Sequence, residues 1–209
     1  MKKNLHLQKS LFAFLLALFL GMGTANAADF SATCSTGQTL YYNITDATNH
    51  YVEITFPGTS SDSPWEGYTK PTGNITLPSS VTYNNVTYAV KKIGTCAFYL
   101  CSGLTGSLTI GNSVTSIGSN AFTNCSGFTG SLTIGNSVTT IDDYAFYDCS
   151  GFTGSLTIGN SVTSIGASAF EGCSSFTGSL TIPNSVTTID DYAFYDCSGF
   201  TGSLTLAVP

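Results

Sequence analysis

Four consecutive stretches of the chain, starting at Gly106, Gly130, Gly154 and Gly178, are versions of one 24-residue sequence, GSLTIGNSVTSIGSNAFTNCSGFT, with no residue inserted or lost between them. Self-similarity at a fixed period of roughly 20 to 50 residues specifies a stack of equivalent turns, a solenoid, because no single unit has enough interior of its own. A fifth start, residues 202–209, stops after its first apolar pair. Upstream, residues 73–105 read as the same unit lengthened by nine residues, with Ile75, Leu77, Val81, Ile93, Ala97, Phe98, Cys101 and Leu104 in the matching slots.

Within residues 106–129, Leu108 and Ile110 alternate with Ser107, Thr109 and Gly111, the period of a half-buried strand. Val114 and Ile117 suit a second short extended piece. Ala121-Phe122 followed by Cys125 suits a brief helical or irregular turn, and Gly111-Asn112 and Ser126-Gly127 carry turn chemistry. Stacking pairs each strand with its equivalent in the next unit, so matching side chains should form ladders about 4.8 Å apart. The expected fold is a mainly β solenoid of 24-residue units, with short strands and brief helical or irregular turns, behind a β-rich N-terminal cap.

The N-terminus reads as a signal peptide over 1–27: Lys2, Lys3 and Lys9 precede the apolar run 11–20, and Ala25-Asn26-Ala27 offers a small-residue cleavage site. That run falls short of the roughly 20 residues a membrane span needs, and no second one follows, so no membrane span is expected after signal removal. The protein is therefore expected outside the cytoplasm, secreted or on the cell surface. Residues 28–72 lack the repeat and read as the cap, with extended pieces at Thr39–Ile44 and Tyr51–Phe56 and a Gly-, Ser- and Pro-rich loop from Pro57 to Gly73. Residues 81–83 and 86–90 flank Asn84-Asn85, a hairpin-turn pair. Trp65, the one tryptophan, suits packing within the cap or stacking on a ligand.

Charge removes one class of function. All twelve acidic residues lie beyond residue 27, where only Lys70, Lys91 and Lys92 are basic, so losing the three leader lysines takes the net charge from −6 to −9. The chain has no arginine and no lysine after Lys92, so it has no basic surface to displace counterions from phosphates. Nucleic-acid binding is excluded. Catalysis has little material either: beyond the leader there is a single histidine, His50, and glutamate only at 53, 66 and 171. No enzyme activity and no cofactor are expected.

Cys101, Cys125, Cys149, Cys173 and Cys197 recur every 24 residues and should form one ladder. Parallel side chains on successive rungs keep their Cβ atoms near 4.8 Å, beyond the roughly 3.5 to 4.5 Å that a disulfide prefers, so these are expected as buried, reduced packing residues. Cys34 and Cys96 fall outside the ladder and stand as a candidate pair. One histidine does not make a zinc site.

The string AFxxCSxLT followed by IPNSVTSIG, carried here by Ala97-Phe98 to Cys101 to Leu104, by Ala121-Phe122 to Cys125 and by Ile182-Pro183-Asn184-Ser185-Val186, resembles the BspA-like leucine-rich repeat family of Bacteroidetes and some protists. The resemblance covers residues 73–209: the long first unit 73–105, the four units 106–201 and the partial unit 202–209. It implies an extracellular leucine-rich-repeat solenoid. Some members are adhesins for host matrix or plasma proteins such as fibronectin and fibrinogen, or attach to other bacteria. Gly111, Gly135 and Gly159 stand where the family usually has proline, and Phe128, Phe152, Phe176 and Phe200 where it has leucine; neither change is expected to alter the fold. No polar terminal repeat, sorting tail or wall anchor follows Pro209, so either the chain is a truncated product or the end rung is covered by a partner, including a second copy end to end.

A second-order repeat supplies the candidate site. Residues 136–157 and 184–205 are identical, and both carry Ile-Asp-Asp-Tyr-Ala-Phe-Tyr-Asp-Cys where other units have uncharged residues. Asp142, Asp143, Tyr144, Tyr147, Asp148, Asp190, Asp191, Tyr192, Tyr195 and Asp196 thus recur on alternate rungs as a possible acidic and aromatic binding stripe for basic protein partners. Rungs two apart are separated by about 9.6 Å. That is too far to share a calcium whose ligands lie within about 2.6 Å, so no metal is expected. The plainer reading of the aspartates is solvation of a weakly charged array. Thr109, Thr133, Thr157, Thr181 and Thr205 should form a threonine ladder beside Ser107, Ser131, Ser155 and Ser179, which is ordinary strand chemistry. The function expected is non-catalytic adhesion to a host or bacterial protein, with glycan capture or a repeat fragment without independent function as alternatives. Adhesion through aspartates should weaken with salt, whereas glycan capture should depend on Tyr or Trp65 stacking.

Overall fold

A computed structural model describes residues 27–206, so all but the last residue of the expected signal peptide lies outside the described residues. The N-terminal part forms β1 (Phe30–Thr33), β2 (Thr39–Asp46), β3 (Tyr51–Thr55), β4 (Gly73–Asn74), β5 (Ser80–Tyr83) and β6 (Val86–Ile93). β2 and β3 fall where the extended pieces were expected, and β5 and β6 form the Asn84-Asn85 hairpin. Both asparagines have positive φ, 49° and 64°, as a two-residue primed turn requires. β1 was not foreseen from its short FSAT sequence; it pairs antiparallel with β2.

The repeats contribute β7 (Leu104–Thr105), β8 (Leu108–Ile110), β9 (Ser116–Ile117), β10 (Leu132–Ile134), β11 (Thr140–Ile141), β12 (Leu156–Thr157), β13 (Ser164–Ile165), β14 (Leu180–Ile182), β15 (Thr188–Ile189) and β16 (Leu204–Leu206). Each turn of the solenoid takes about 24 residues. The AFxxC corner is an irregular turn, and there is no helix among the described residues. One sheet runs β1-β2-β3-β6-β9-β11-β13-β15, so the N-terminal strands continue into the repeat through the parallel pairs β3–β6 and β6–β9. On another face β8, β10 and β12 pair in parallel with Leu108, Leu132 and Leu156 in register.

The register turns each apolar slot into a column. Phe98, Phe122, Phe146, Phe170 and Phe194 stack with centroids 4.9, 5.2, 5.3 and 5.1 Å apart. Phe128, Phe152, Phe176 and Phe200 form a second column at 5.0, 5.2 and 5.5 Å. Both match the rung spacing of a parallel sheet. The cysteine column lies beside them. Cys125, Cys149 and Cys173 are fully buried, and each Sγ donates to a phenylalanine carbonyl 27 residues earlier, as in Cys125 to Phe98 at 3.0 Å. All seven cysteines are free thiols, Cys34 and Cys96 included.

Polar columns hold the outer corners. The Asn136 N–H donates to Asn112 Oδ1 at 2.8 Å and the Asn160 N–H to Asn136 Oδ1 at 3.0 Å. The Ser131 and Ser155 N–H groups donate to Ser107 and Ser131 Oγ, both at 3.1 Å. In this way the side chain of one rung satisfies a backbone donor of the next, which the turn itself leaves unpaired.

One seam interrupts the stack. β12 does not pair with β14, which pairs only with β16. A gap of about 550 Å³ opens there between Leu156, Thr157 and Ile158 on one side and Thr181 and Pro183 on the other. The β11–β13–β15 ladder stays closed across the same two units. Two departures from the repeat flank the open strand. Ser175 occupies the slot of Gly127 and Gly151, where a Cβ would come within 2.1 Å of the preceding rung's carbonyl oxygen, Ser102 O or Ser126 O. Pro183 occupies the slot of Gly135, whose N–H donates to Ile110 O at 2.9 Å, and proline has no N–H to give. Restoring both glycines, S175G with P183G, is expected to close the seam, slow hydrogen exchange at Leu156 at least about tenfold and stabilise the chain by about 1 kcal/mol. Unchanged exchange at Leu156 would sink this explanation.

Candidate functional site

Every rung turns its AFxxC corner through two residues in the left-handed region, where side chains other than Gly, Asn and Asp are disfavoured. The first column is Cys96, Asn120, Tyr144, Ser168 and Tyr192, with φ between 53° and 60°; the second is Leu100, Asn124, Asp148, Gly172 and Asp196. The second column accounts for two of the predicted site residues by backbone need alone. Asp148 and Asp196 stand where the other rungs use Asn124 and Gly172, and all of these accept a positive φ at low cost.

The remaining aspartates divide in the same way. Asp143 Oδ1 accepts the Ala167 N–H at 2.8 Å, capping the following rung. Asp142 is half-buried where other rungs carry glycine, and burial pushes its carboxyl up against the pull of Lys92. Asp190 and Asp191 are exposed. Among the described residues no three His, Cys, Asp or Glu side chains gather as a metal site. The threonine column is exposed at 109, 157, 181 and 205 and half-buried at 133.

The four predicted tyrosines do come together. Tyr144 and Tyr147 meet edge to face at 5.7 Å and 65°, and Tyr192 and Tyr195 at 5.6 Å and 90°, two rungs further on. They line one shallow concave shelf of about 680 Å³. Tyr144, Tyr192 and Tyr195 are 42%, 66% and 60% exposed, so the rings face solvent rather than core. None of the six aspartates lines the shelf; its acid is Glu171, and its other walls are Tyr99, Asn120, Asn124, Thr123 and Ser168. Tyr99, Asn120, Asn124 and Glu171 were missed from sequence. Writing the units in register reveals the signal, since Tyr99, Thr123, Tyr147, Glu171 and Tyr195 share one column. Tyrosine therefore returns at every second rung from the first unit onward.

Trp65 is buried in the loop after β3, edge-on to Tyr41 at 5.9 Å and 79°. Its indole N–H has no hydrogen-bond partner.

A parallel β solenoid built from stacked 24-residue turns is the architecture of a leucine-rich-repeat protein. The chain belongs to the family of BspA type leucine-rich repeat regions, which matches residues 74–201 in six copies. The fold is similar to the crystal structure of a leucine-rich repeat protein from Bacteroides ovatus ATCC 8483, at 32% identity and a TM-score of 0.63 over 80% of this chain and 39% of that one. It is likewise similar to the T. pallidum leucine-rich repeat protein, at 24% identity and a TM-score of 0.62 over 78% of this chain and 67% of that one. The chain thus spans about two fifths of the Bacteroides ovatus protein. None of the curated proteins matches it by sequence.

Proposed function

We propose that this is an exported, non-catalytic adhesion protein that holds another protein against its tyrosine shelf. The observation carrying this reading is the pair of exposed tyrosines, Tyr144 and Tyr192, in left-handed backbone at φ 57° and 60°. A bulky residue there costs about 1–2 kcal/mol. The turn itself accepts Asn120 or Ser168 in the same column, so the turn does not call for tyrosine, and strain of this kind collects at functional positions. Tyr with Asn, Ser and Thr is also the composition of adaptable protein-recognition surfaces, in which rigid aromatic rings supply contact area and short polar side chains supply hydrogen bonds. Export is supported by the basic and apolar pattern of residues 2–20.

The aspartates do not line the shelf, so the interaction should depend on rings more than on charge. The test is binding of the purified chain to immobilised fibronectin, fibrinogen and mucin, with the variants Y144A/Y192A and D142N/D190N compared. The tyrosine pair is expected to weaken protein binding by about 30-fold or more, the loss typical of a hot-spot residue, while the aspartate pair changes it less than about threefold. Loss confined to the aspartate variant would return the site to the acidic stripe. Binding only to mucin glycans, equally lost in Y144A/Y192A, would replace the protein ligand with a glycan.

A further inference from the structure

At the N-terminal end of the shelf lies a second, smaller recess of about 260 Å³, and Tyr99 lines both. Its floor is Pro64, Trp65, Tyr99 and Leu100, and its rim carries Asp62, Glu66 and Lys70. Trp65 is only 5% exposed and its indole N–H is an unpartnered buried donor. Leu100 is 41% exposed although it lies in left-handed backbone at φ 58°. The core explains neither the bare leucine nor the orphaned donor. Among the described residues the ion pair is Lys92 with Glu53, so Lys70 does not approach Asp62 or Glu66 closely enough to form one. The recess therefore combines apolar and aromatic side chains with two carboxylates against one ammonium.

We infer that this recess is the anchor pocket for a lysine or arginine side chain of the protein segment lying on the tyrosine shelf. The inference rests on the reading of that shelf as a protein-binding surface. A long basic side chain is amphipathic: its methylene stem covers apolar surface while its head stays at the polar edge. Here the stem lies along Leu100, Pro64 and Tyr99, and the cationic head meets Asp62 and Glu66. Charge agrees at longer range, because with twelve acidic residues against three lysines beyond residue 27 the protein attracts basic segments.

Trp65 is the only tryptophan, so its fluorescence in the full chain reports the recess directly. The probes are acetylated hexapeptides alternating Gly with Lys, Arg or Glu, and chitohexaose as a neutral sugar. The Lys and Arg peptides are expected to shift Trp65 emission saturably, with half-saturation on the order of 1 mM for a single anchored side chain. The effect should weaken at least about tenfold in D62N/E66Q and in high salt. A shift given equally by the Glu peptide or by chitohexaose, no shift with any probe, or a Lys response unchanged in D62N/E66Q would each overturn the pocket. The two readings fail separately. An emission response with full adhesion of Y144A/Y192A overturns the shelf and keeps the recess, whereas lost adhesion in that variant without any emission response does the reverse.

Discussion

Between pH 9 and pH 11 the protein is expected to lose its fold in one steep step. Burial pushes the Cys101 and Cys197 thiols up to about 12 from an ordinary 9.0. It pushes Cys125, Cys149 and Cys173 well above that value as well, with the neighbouring thiols of the column adding to the shift. The folded chain thus keeps these protons at a pH where the unfolded chain has released them. Stability is complete below the unfolded value near 9 and falls as the pH climbs toward the folded values. Each thiol contributes a slope of about 1.4 kcal/mol per pH unit, so five give about 7 kcal/mol per unit. A domain of this size is stable by about 5–15 kcal/mol in total, which two such units exhaust. Circular dichroism against pH at constant ionic strength checks this, with C149A expected to flatten the slope by about one fifth. A protein that keeps its spectrum to pH 11 would show that the column opens to solvent without unfolding the array.

The same column shows why much of the fold was legible in the sequence. Register follows from identity. When Leu108, Leu132 and Leu156 occupy equal slots, the lowest-energy pairing sets them side by side, and every other slot follows. The Asn84-Asn85 turn was readable because a two-residue hairpin demands positive φ at both positions. The seam was harder to see. Pro183 matches the family's usual pattern and Ser175 is only two heavy atoms larger than glycine, so neither disturbs the hydrophobic period. Their effect comes through a missing N–H and a crowded carbonyl, which periodicity does not register.

The candidate site was half legible for a related reason. The alternation of Asp-Asp-Tyr pointed to alternate rungs, and the tyrosines on those rungs do converge. The aspartates were grouped with them because sequence proximity shows composition, not φ. Asp148 belongs to a left-handed column with Asn124 and Gly172, and Asp143 caps a backbone donor at Ala167. The Trp65 recess could not be read at all, since it arises where the loop after β3 folds onto the corner holding Tyr99 and Leu100, about 35 residues away in the chain.

The phenylalanine column should show how far each rung relies on its neighbours. Phe146 has no solvent exposure and stacks on Phe122 at 5.2 Å and on Phe170 at 5.3 Å. Truncation in F146A leaves a cavity bounded by two rings that are themselves held in register, so the site has little room to collapse, and the expected loss is about 3–5 kcal/mol. Phe194 is half-buried and has one ring partner, Phe170 at 5.1 Å. F194A is expected to cost less than about 2 kcal/mol, because solvent already reaches one side and the neighbour can relax. Urea midpoints of the two variants measure the difference. In a stack whose stability is a sum of nearest-neighbour terms, the inner substitution removes two interfaces and the outer one removes one. Equal losses would mean that the array unfolds as a single unit without regard to position. Phe146 belongs to the corner that carries Tyr144 and Tyr147, and Phe194 to the one that carries Tyr192 and Tyr195, so each loss is expected to reach the shelf through its own tyrosine pair.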